Sequence, residues 1–528
     1  MRYTVSEVFS QTVLQQSFVF QLLTRGRNEV KGEELGRSQK RLRIFYLASE
    51  MMPLAKTGGL ADVAGALPKA LKGLGHDVVA LLPKYEVVAK GKWRTKPIFK
   101  SMPIKLGDNI YRVGVERCYA IPGVELYLLD CPDFYDRPHL YGYNDDALRF
   151  GLYCRAALEI TKAIGFQPNV IHCNDWQTGL VPAYLNTTDF YDGFFICTAT
   201  VFTIHNLGYQ GNFPPAFIKD VGLPWEVFSI EGVEFYGHFS FMKAGLFYSD
   251  LLTTVSPKYA SEIQTEPLGE GFHGLLSTRS CDLFGILNGV DYEFWNPKTD
   301  KLIPVNYDAS TIDRKRQNKL HLQERLELPV DEQKPVIGIV SRLAWQKGFE
   351  VVLDASDELL TKHDVQLVVL GAGEERYEKA FLKLREAYPT KVGVRIGVYD
   401  EPLAHLIYAG ADMFLMPSRY EPCGLGQMIS MRYGTIPIVH HTGGLVDTVK
   451  EFNEETGEGE GFCFYKFSAE HFLKAVERAL FIYNEKPELW RKAMLNAMKA
   501  DYSWKRSAKE YEKVYRLAIQ KRVEKVGL

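Results

Sequence analysis

Cations and paired glycines recur where the apolar runs of this chain end, and that combination suits an anion. After LRIFYLAS and Glu50 comes KTGGLADV, in which Lys56 precedes Gly58 and Gly59 and a helix is expected to begin near Leu60. Glycines at a helix start let backbone N–H groups approach an anion, and the lysine adds charge. A Gly-Gly turn also serves as a plain tight connection. After PVIGIVSRL come Arg342 and, five residues on, Lys347. This pair matches a diphosphate, because the planar Arg fork grips two oxygens while Lys acts as a compact point charge. Two solvated surface cations would read the same way. Glu421 follows DMFLMPS in RYEPCGLGQM, where a carboxylate could grip hydroxyls or simply favour a helix N-terminus. TIPIVHHTGGLVDTV then repeats the glycine pattern with Thr442, Gly443 and Gly444. VFTIHN ends on His205 and Asn206, and NVIHCNDW on Asp175 and Trp176. A strand-end histidine is either a ligand for substrate or a satisfied structural group.

The elements that must hold these residues are short aliphatic strands alternating with helical stretches. LRIFYLAS, VVALLPKY, VELYLLD, NVIHCND, VFTIHN and LLTTVS form one series. PVIGIVSRL, VQLVVLGAG, VGVRIG, DMFLMPS and TIPIVHHTGG form another. Such alternation predicts α/β architecture: two Rossmann-like doubly wound domains, each a parallel sheet with crossover helices. Gly, Asn, Pro and Asp accumulate in GILNGVDYEFWNPKTD between the series, which marks a boundary. The expected division is an N-terminal extension over 1–40, a first domain over 41–283, a hinge over 284–295 and a second domain over 296–499. A closing helix over 500–528 returns to the first domain. In open parallel sheets ligands bind at the carboxyl ends of the strands. Every residue singled out above falls there, part on each side of a deep interdomain cleft.

The 528 residues carry 63 basic and 65 acidic side chains, a net charge of -2, so no global positive field draws nucleic acid or an anionic membrane. No run of 18 apolar residues predicts a membrane span. The glutamines near the start and the lack of an Ala-x-Ala pattern argue against a secretory signal, so the expected compartment is the cytoplasm. The eight cysteines include no CxxC pair, which predicts a reduced, buried set. GxxxxGK[ST], HExxH, GxSxG and Asp-x-Asp are absent, which disfavours P-loop, zincin, serine-hydrolase and metal-dependent single-domain transferase chemistry. LGAGEERY is only a partial GxGxxG. No cofactor and no metal are expected.

KTGGLADV, TIHN, SRLAWQKG, SRYEPCGL and HTGGLVDTV, in this order, resemble bacterial glycogen synthases and plant starch synthases, the retaining glucosyltransferases of glycosyltransferase family 5. FYDRPHLYG, FMKAGLFYSD and ILNGVD follow the same order, and the resemblance runs from Leu42 to Arg522. It implies a GT-B fold, with the acceptor glucan on the first domain and the sugar nucleotide on the second. It also implies transfer of glucose to the non-reducing end of an α-1,4-glucan with retention and without metal, from ADP-glucose rather than UDP-glucose. Carried over by position, Lys56, Gly58, Gly59, Arg342, Lys347 and the Gly443–Gly444 turn would hold the diphosphate. Glu421 would bind hydroxyls of the transferred glucose, with His205, Asn206 and Asp175 lining the pocket from the other domain. His205, Glu421, Arg342 and Lys347 would carry the chemistry. Asp62, Cys423, Gly424, Leu425 and Thr442 would border the substrate, Asn288 would belong to the hinge, and Tyr399 would stack on the base. In EPCGLGQ, Gly426 replaces a residue that often carries a hydroxyl in bacterial members. Competing readings are a UDP-glucose-dependent GT-B transferase with a small acceptor and a silent glucan-binding relative.

Overall fold

The structure is a computed structural model that describes residues 41–398 and 400–527. The expected N-terminal extension over 1–40 and the base-stacking Tyr399 lie outside the described residues. Two sheets organise the chain. The first has nine strands: β1 (Arg43–Leu47), β2 (Asp77–Pro83), β3 (Thr95–Leu106), β4 (Asn109–Cys118), β5 (Glu125–Asp130), β6 (Val170–Asn174), β7 (Ala199–Ile204), β11 (Leu251–Thr254) and β12 (Leu283–Gly285). Between β7 and β11 the chain also forms β8 (Asn212–Phe213), β9 (Glu234–Phe235) and β10 (His238–Ser240), a small separate antiparallel sheet. The second large sheet has six parallel strands: β13 (Val336–Leu343), β14 (Gln366–Gly373), β15 (Val392–Ile396), β16 (Met413–Met416), β17 (Ile436–His440) and β18 (Phe462–Phe464).

The strand orders are β12-β11-β7-β6-β1-β2-β5-β4-β3 and β15-β14-β13-β16-β17-β18. Both are doubly wound, because each chain starts in the middle, runs to one edge and then returns to fill the other side. The order reverses between β1 and β6 in the first sheet and between β13 and β16 in the second. A crevice opens at such a reversal, beyond the carboxyl ends of the strands. The inner strands β6, β7 and β16 are buried at every residue, as sheets covered on both faces require. One departure from parallel pairing stands out. KPIFKSMPIKLGDNIYRVGVERC forms an antiparallel edge hairpin, β3 against β4, around Gly107 at φ +58°.

The chain crosses twice between the sheets, and the two crossings pair: Val290 N–H donates to the Tyr502 carbonyl at 2.7 Å. The last helix, Trp504–Lys525, lies on the first sheet although it follows the second. Its Tyr515 hydroxyl meets Nδ1 of buried His172 on β6 at 2.8 Å. Its buried Arg522 reaches the Ile196 carbonyl and Asn186 Oδ1, each at 3.0 Å. No helix among the described residues is long and apolar enough to cross a membrane.

Candidate active site

β1 delivers Glu50 to the crevice, and this buried carboxylate folds the loop after it. It accepts the Thr57 N–H at 2.5 Å, the Gly58 N–H at 3.0 Å and the Tyr141 hydroxyl at 3.0 Å. The 15-residue helix Gly59–Gly73 therefore starts at the crevice mouth, where Ala61 N–H turns back to the Gly58 carbonyl at 3.3 Å and the Gly59 and Leu60 amides have no intrahelical acceptor. A Cβ placed on Gly58 or Gly59 would meet nothing within 4 Å. The space above these glycines is thus open to a ligand, although the Gly58 amide itself is held by Glu50. Lys56 Nζ stands 2.7 Å from Asp62 Oδ1 at the same end, so Asp62 aims the lysine.

β6 and β7 supply the next group. Asp175 turns the chain sharply at φ +55°, and its Oδ1 accepts the His205 N–H at 2.7 Å; the Asn206 N–H also donates to this carboxylate. Burial pushes the Asp175 carboxyl up to about 7. Burial also lowers His205 to about 3, which leaves it a neutral imidazole near pH 7. Its tautomer follows from its neighbour. Asn174 Nδ2 donates to the Leu47 carbonyl at 2.8 Å, so Asn174 Oδ1 faces His205 Nε2 at 2.9 Å. Nε2 therefore carries the proton and Nδ1 presents a lone pair. Trp176 does not reach out as a ligand but is buried among Tyr141, Phe150, Phe213 and Phe241.

The second domain brings Lys347 and Glu421 together across 74 residues of sequence, with Lys347 Nζ 2.6 Å from Glu421 Oε2. Gly348 makes this approach possible. It sits at φ +67°, and a Cβ there would lie 2.2 Å from the Pro417 carbonyl oxygen. Glu421 is buried and also accepts the Ser418 hydroxyl at 2.9 Å. Arg342, at the end of β13, is exposed. Lys347 is thus a carboxylate's partner as well as a candidate phosphate ligand, a pairing that sequence spacing did not reveal.

The second glycine pair differs from the first. Gly443 N–H donates to Glu262 Oε1 at 3.2 Å and Gly444 N–H to the Glu421 carbonyl at 2.9 Å. Cβ atoms at these positions would lie 1.9 Å from the Glu421 oxygen and 2.3 Å from the Cys423 oxygen. This turn packs against the Glu421 loop, and its two amides already have acceptors, so it offers no free donors to a diphosphate. Thr442 is buried beside it. Cys423 is buried too, its thiol pushed up to about 12, and Gly424 turns the chain at φ +74° ahead of Leu425.

The two halves meet here. Ser256 Oγ donates to the Pro422 carbonyl at 2.6 Å and Lys258 N–H to Asp447 Oδ2 at 2.8 Å. The Tyr420 hydroxyl is hydrogen-bonded to the Asn206 side chain, and the Asn288 N–H to Cys423 Sγ. Sequence reading assigned no role to Asn174, Glu262, Ser418 or Tyr420. Ser418 and Tyr420 lie inside a motif already singled out, whereas nothing around Glu262 pointed to Gly443. One consequence is directly measurable for the open glycines. Gly59→Ala should fold at least as well, since alanine is the better helix former by about 0.5–1 kcal/mol. Its methyl would intrude only on a ligand, so KM for the sugar nucleotide that the resemblance implies should rise about tenfold; unchanged KM would remove Gly59 from the site.

The chain matches the family model described as starch synthase catalytic domain over residues 43–278 and that described as glycosyl transferases group 1 over 322–494. It is 48% identical over 486 residues to a glycogen synthase of Thermotoga maritima, covering 91% of this chain and 99% of the relative. The glycogen synthase of Moorella thermoacetica is 47% identical over 486 residues, with 92% and 98% covered. Among solved structures, the catalytic domain of starch synthase IV from Arabidopsis thaliana bound to ADP and acarbose superposes with a TM-score of 0.85 at 33% identity, covering 91% of this chain and 99% of that one. A sucrose-phosphate synthase from Thermosynechococcus elongatus, at 18% identity and a TM-score of 0.56 over 90% and 99% of the two chains, shares the fold.

Proposed function

The chain belongs to the glycogen and starch synthase family of GT-B glucosyltransferases, and on that premise we propose that its donor is ADP-glucose and its acceptor the non-reducing end of an α-1,4-glucan. The observation that carries this reading is the buried Glu421 carboxylate held 2.6 Å from Lys347 Nζ, on the second-domain side of the cleft that has neutral His205 on the other. A carboxylate placed beside a cation in this way can accept hydroxyl hydrogens of a sugar, while the cation faces the leaving diphosphate. The choice of ADP is supported by the bacterial relatives named glycogen synthase and by the ADP in the plant neighbour. We divide the chain as in the sequence reading, at 41–283, 284–295, 296–499 and 500–528, and place the protein in the cytoplasm.

Cleavage of the bond from the anomeric carbon to the diphosphate builds positive charge on the sugar and negative charge on the leaving group. Arg342, Lys347, Lys56 and the first-turn amides of Gly59–Gly73 stabilise the departing oxygens. The acceptor oxygen bonds to the anomeric carbon on the face the phosphate leaves, and its proton passes to that phosphate. Retention then needs no protein nucleophile. Glu421, packed against Lys347 and Ser418, binds and orients. His205 offers its Nδ1 lone pair to a sugar hydroxyl from the opposite wall.

The test is to incubate the protein with maltotriose and either ADP-glucose or UDP-glucose, in EDTA, and to follow product length. The expected result is stepwise extension, faster from ADP-glucose and undiminished by the chelator, because protein cations face the diphosphate. Failure to extend maltotriose from either donor overturns the reading, and recovery of activity only on adding metal overturns its cationic part.

A further inference from the structure

Four non-glycine residues among those described hold a positive φ: Asp175 at +55°, Tyr236 at +49°, Glu270 at +48° and Glu327 at +58°. Side chains of L residues rarely adopt this region, and such strain gathers where function requires it. Three of the four belong to the first domain, where Asp175 and Glu270 border the cleft and Tyr236 adjoins the Glu270–Gly271 segment. Asp175 anchors His205. The Glu270 carbonyl accepts Gln210 Nε2 at 2.8 Å, and Glu270 and Tyr209 both lie close enough to Tyr420 to raise its hydroxyl electrostatically. Tyr236 abuts the next residue, since a Cβ on Gly271 would lie 3.1 Å from Tyr236 Cε2.

Tyr236 is the least expected of them. It opens the two-residue turn between β9 and β10, with Gly237 following at φ +79°. Two positive φ values mark a type I′ turn, whose first position favours Asn, Asp or Gly. The ring is also 76% exposed, so burial does not offset the strain. Yet the turn is firmly held. Gly237 N–H donates to Glu234 Oε1 at 2.7 Å. The ammonium of Lys243, on the helix beneath, donates to the carbonyls of Ile230, at 2.9 Å, and Glu234. Phe235 stacks on buried Phe272 with ring centres 3.9 Å apart and meets Tyr236 edge-on at 4.8 Å. The chain thus keeps an exposed aromatic ring on a strained turn pinned by hydrogen bonds, next to the Glu270–Gly271 segment that faces Tyr420.

We propose that Tyr236, with Tyr209 and the exposed Glu270 carboxylate, forms an outer step of the acceptor site on which the α-glucan chain rests beyond the unit being extended. The inference rests on the glucan-acceptor reading above. An aromatic ring held in place covers the apolar face of a sugar at little entropic cost, and a carboxylate accepts its hydroxyl hydrogens. A short acceptor that ends before this step cannot use it.

The test compares Tyr236→Asn with Tyr236→Phe, using glycogen and maltotriose as acceptors. Asparagine suits the turn, so its melting temperature should equal or exceed that of the unaltered protein. KM for glycogen should rise about five- to tenfold, the scale of one aromatic contact, while KM for maltotriose and for ADP-glucose shifts by less than about twofold. Phenylalanine should restore the glycogen KM. An unchanged glycogen KM in Tyr236→Asn, an equal rise with maltotriose, or a lower melting temperature would each overturn the proposal. If the unaltered protein extends neither acceptor, the acceptor reading itself fails, which is a separate outcome.

Discussion

Lys347→Ala is expected to lower turnover by about 100-fold or more, and Arg342→Ala to do the same, but only the first should also lower the melting temperature. Both side chains would lose charge stabilisation that grows as the diphosphate departs, and removal of one preorganised group of this kind costs about 100- to 1000-fold. Their surroundings separate them. Arg342 is exposed at the end of β13, so alanine there should leave folding untouched. Lys347 is 17% exposed and its partner Glu421 only 6%. Alanine at 347 leaves a buried carboxylate with the Ser418 hydroxyl alone, at a cost on the order of 2–3 kcal/mol, below that of a fully buried pair because water still reaches the lysine. Kinetics on ADP-glucose with thermal melts for both variants decide the matter. Wild-type turnover in the pair would remove both cations from the diphosphate site, and equal melting temperatures would mean that Glu421 finds another partner.

The same contrast shows what sequence could carry. Parallel strands buried on both faces are continuous aliphatic runs, so β1, β6, β7, β13 and β16 and the residues just after them were legible, and with them the two crevices. The hairpin of β3 and β4 was not, because its alternation sits inside a chain that otherwise pairs in parallel; only Gly107 in Leu-Gly-Asp-Asn marked it. KTGG and HTGG look alike as strings. They differ in what occupies the space beside the glycines: nothing within 4 Å at Gly58 and Gly59, and the Glu421–Cys423 backbone at Gly443 and Gly444. That distinction depends on contacts between segments far apart in sequence. So does the link from Lys347 to Glu421, and the reach of Glu262 to Gly443 across the domain boundary.

Gly443→Ala should reduce turnover to about 1% or less while the protein retains its native secondary structure. Two constraints act at this residue. Its φ of +47° and ψ of -136° fall in a region left to glycine. A methyl there would also lie 1.9 Å from the Glu421 carbonyl oxygen, where real Cβ atoms essentially never come closer than 3.0 Å. The turn and the Glu421 loop must therefore separate by more than 1 Å. That motion breaks the bond from Gly444 N–H to the Glu421 carbonyl and draws the Glu421 side chain away from Lys347 and Ser418. A displacement of about 1 Å in a positioned group can cost about 100-fold in rate. The loss should appear mainly in kcat, because the proposed nucleotide contacts at Arg342 and at the start of Gly59–Gly73 are untouched, so ADP binding measured by calorimetry should change less than about threefold. Gly73→Ala, at the far end of that helix and away from the cleft, is the steric control, since its methyl meets no protein atom within 4 Å. Near-normal kcat in Gly443→Ala would show that the Glu421 loop tolerates such a shift, and would take from Glu421 the positioning role assigned to it.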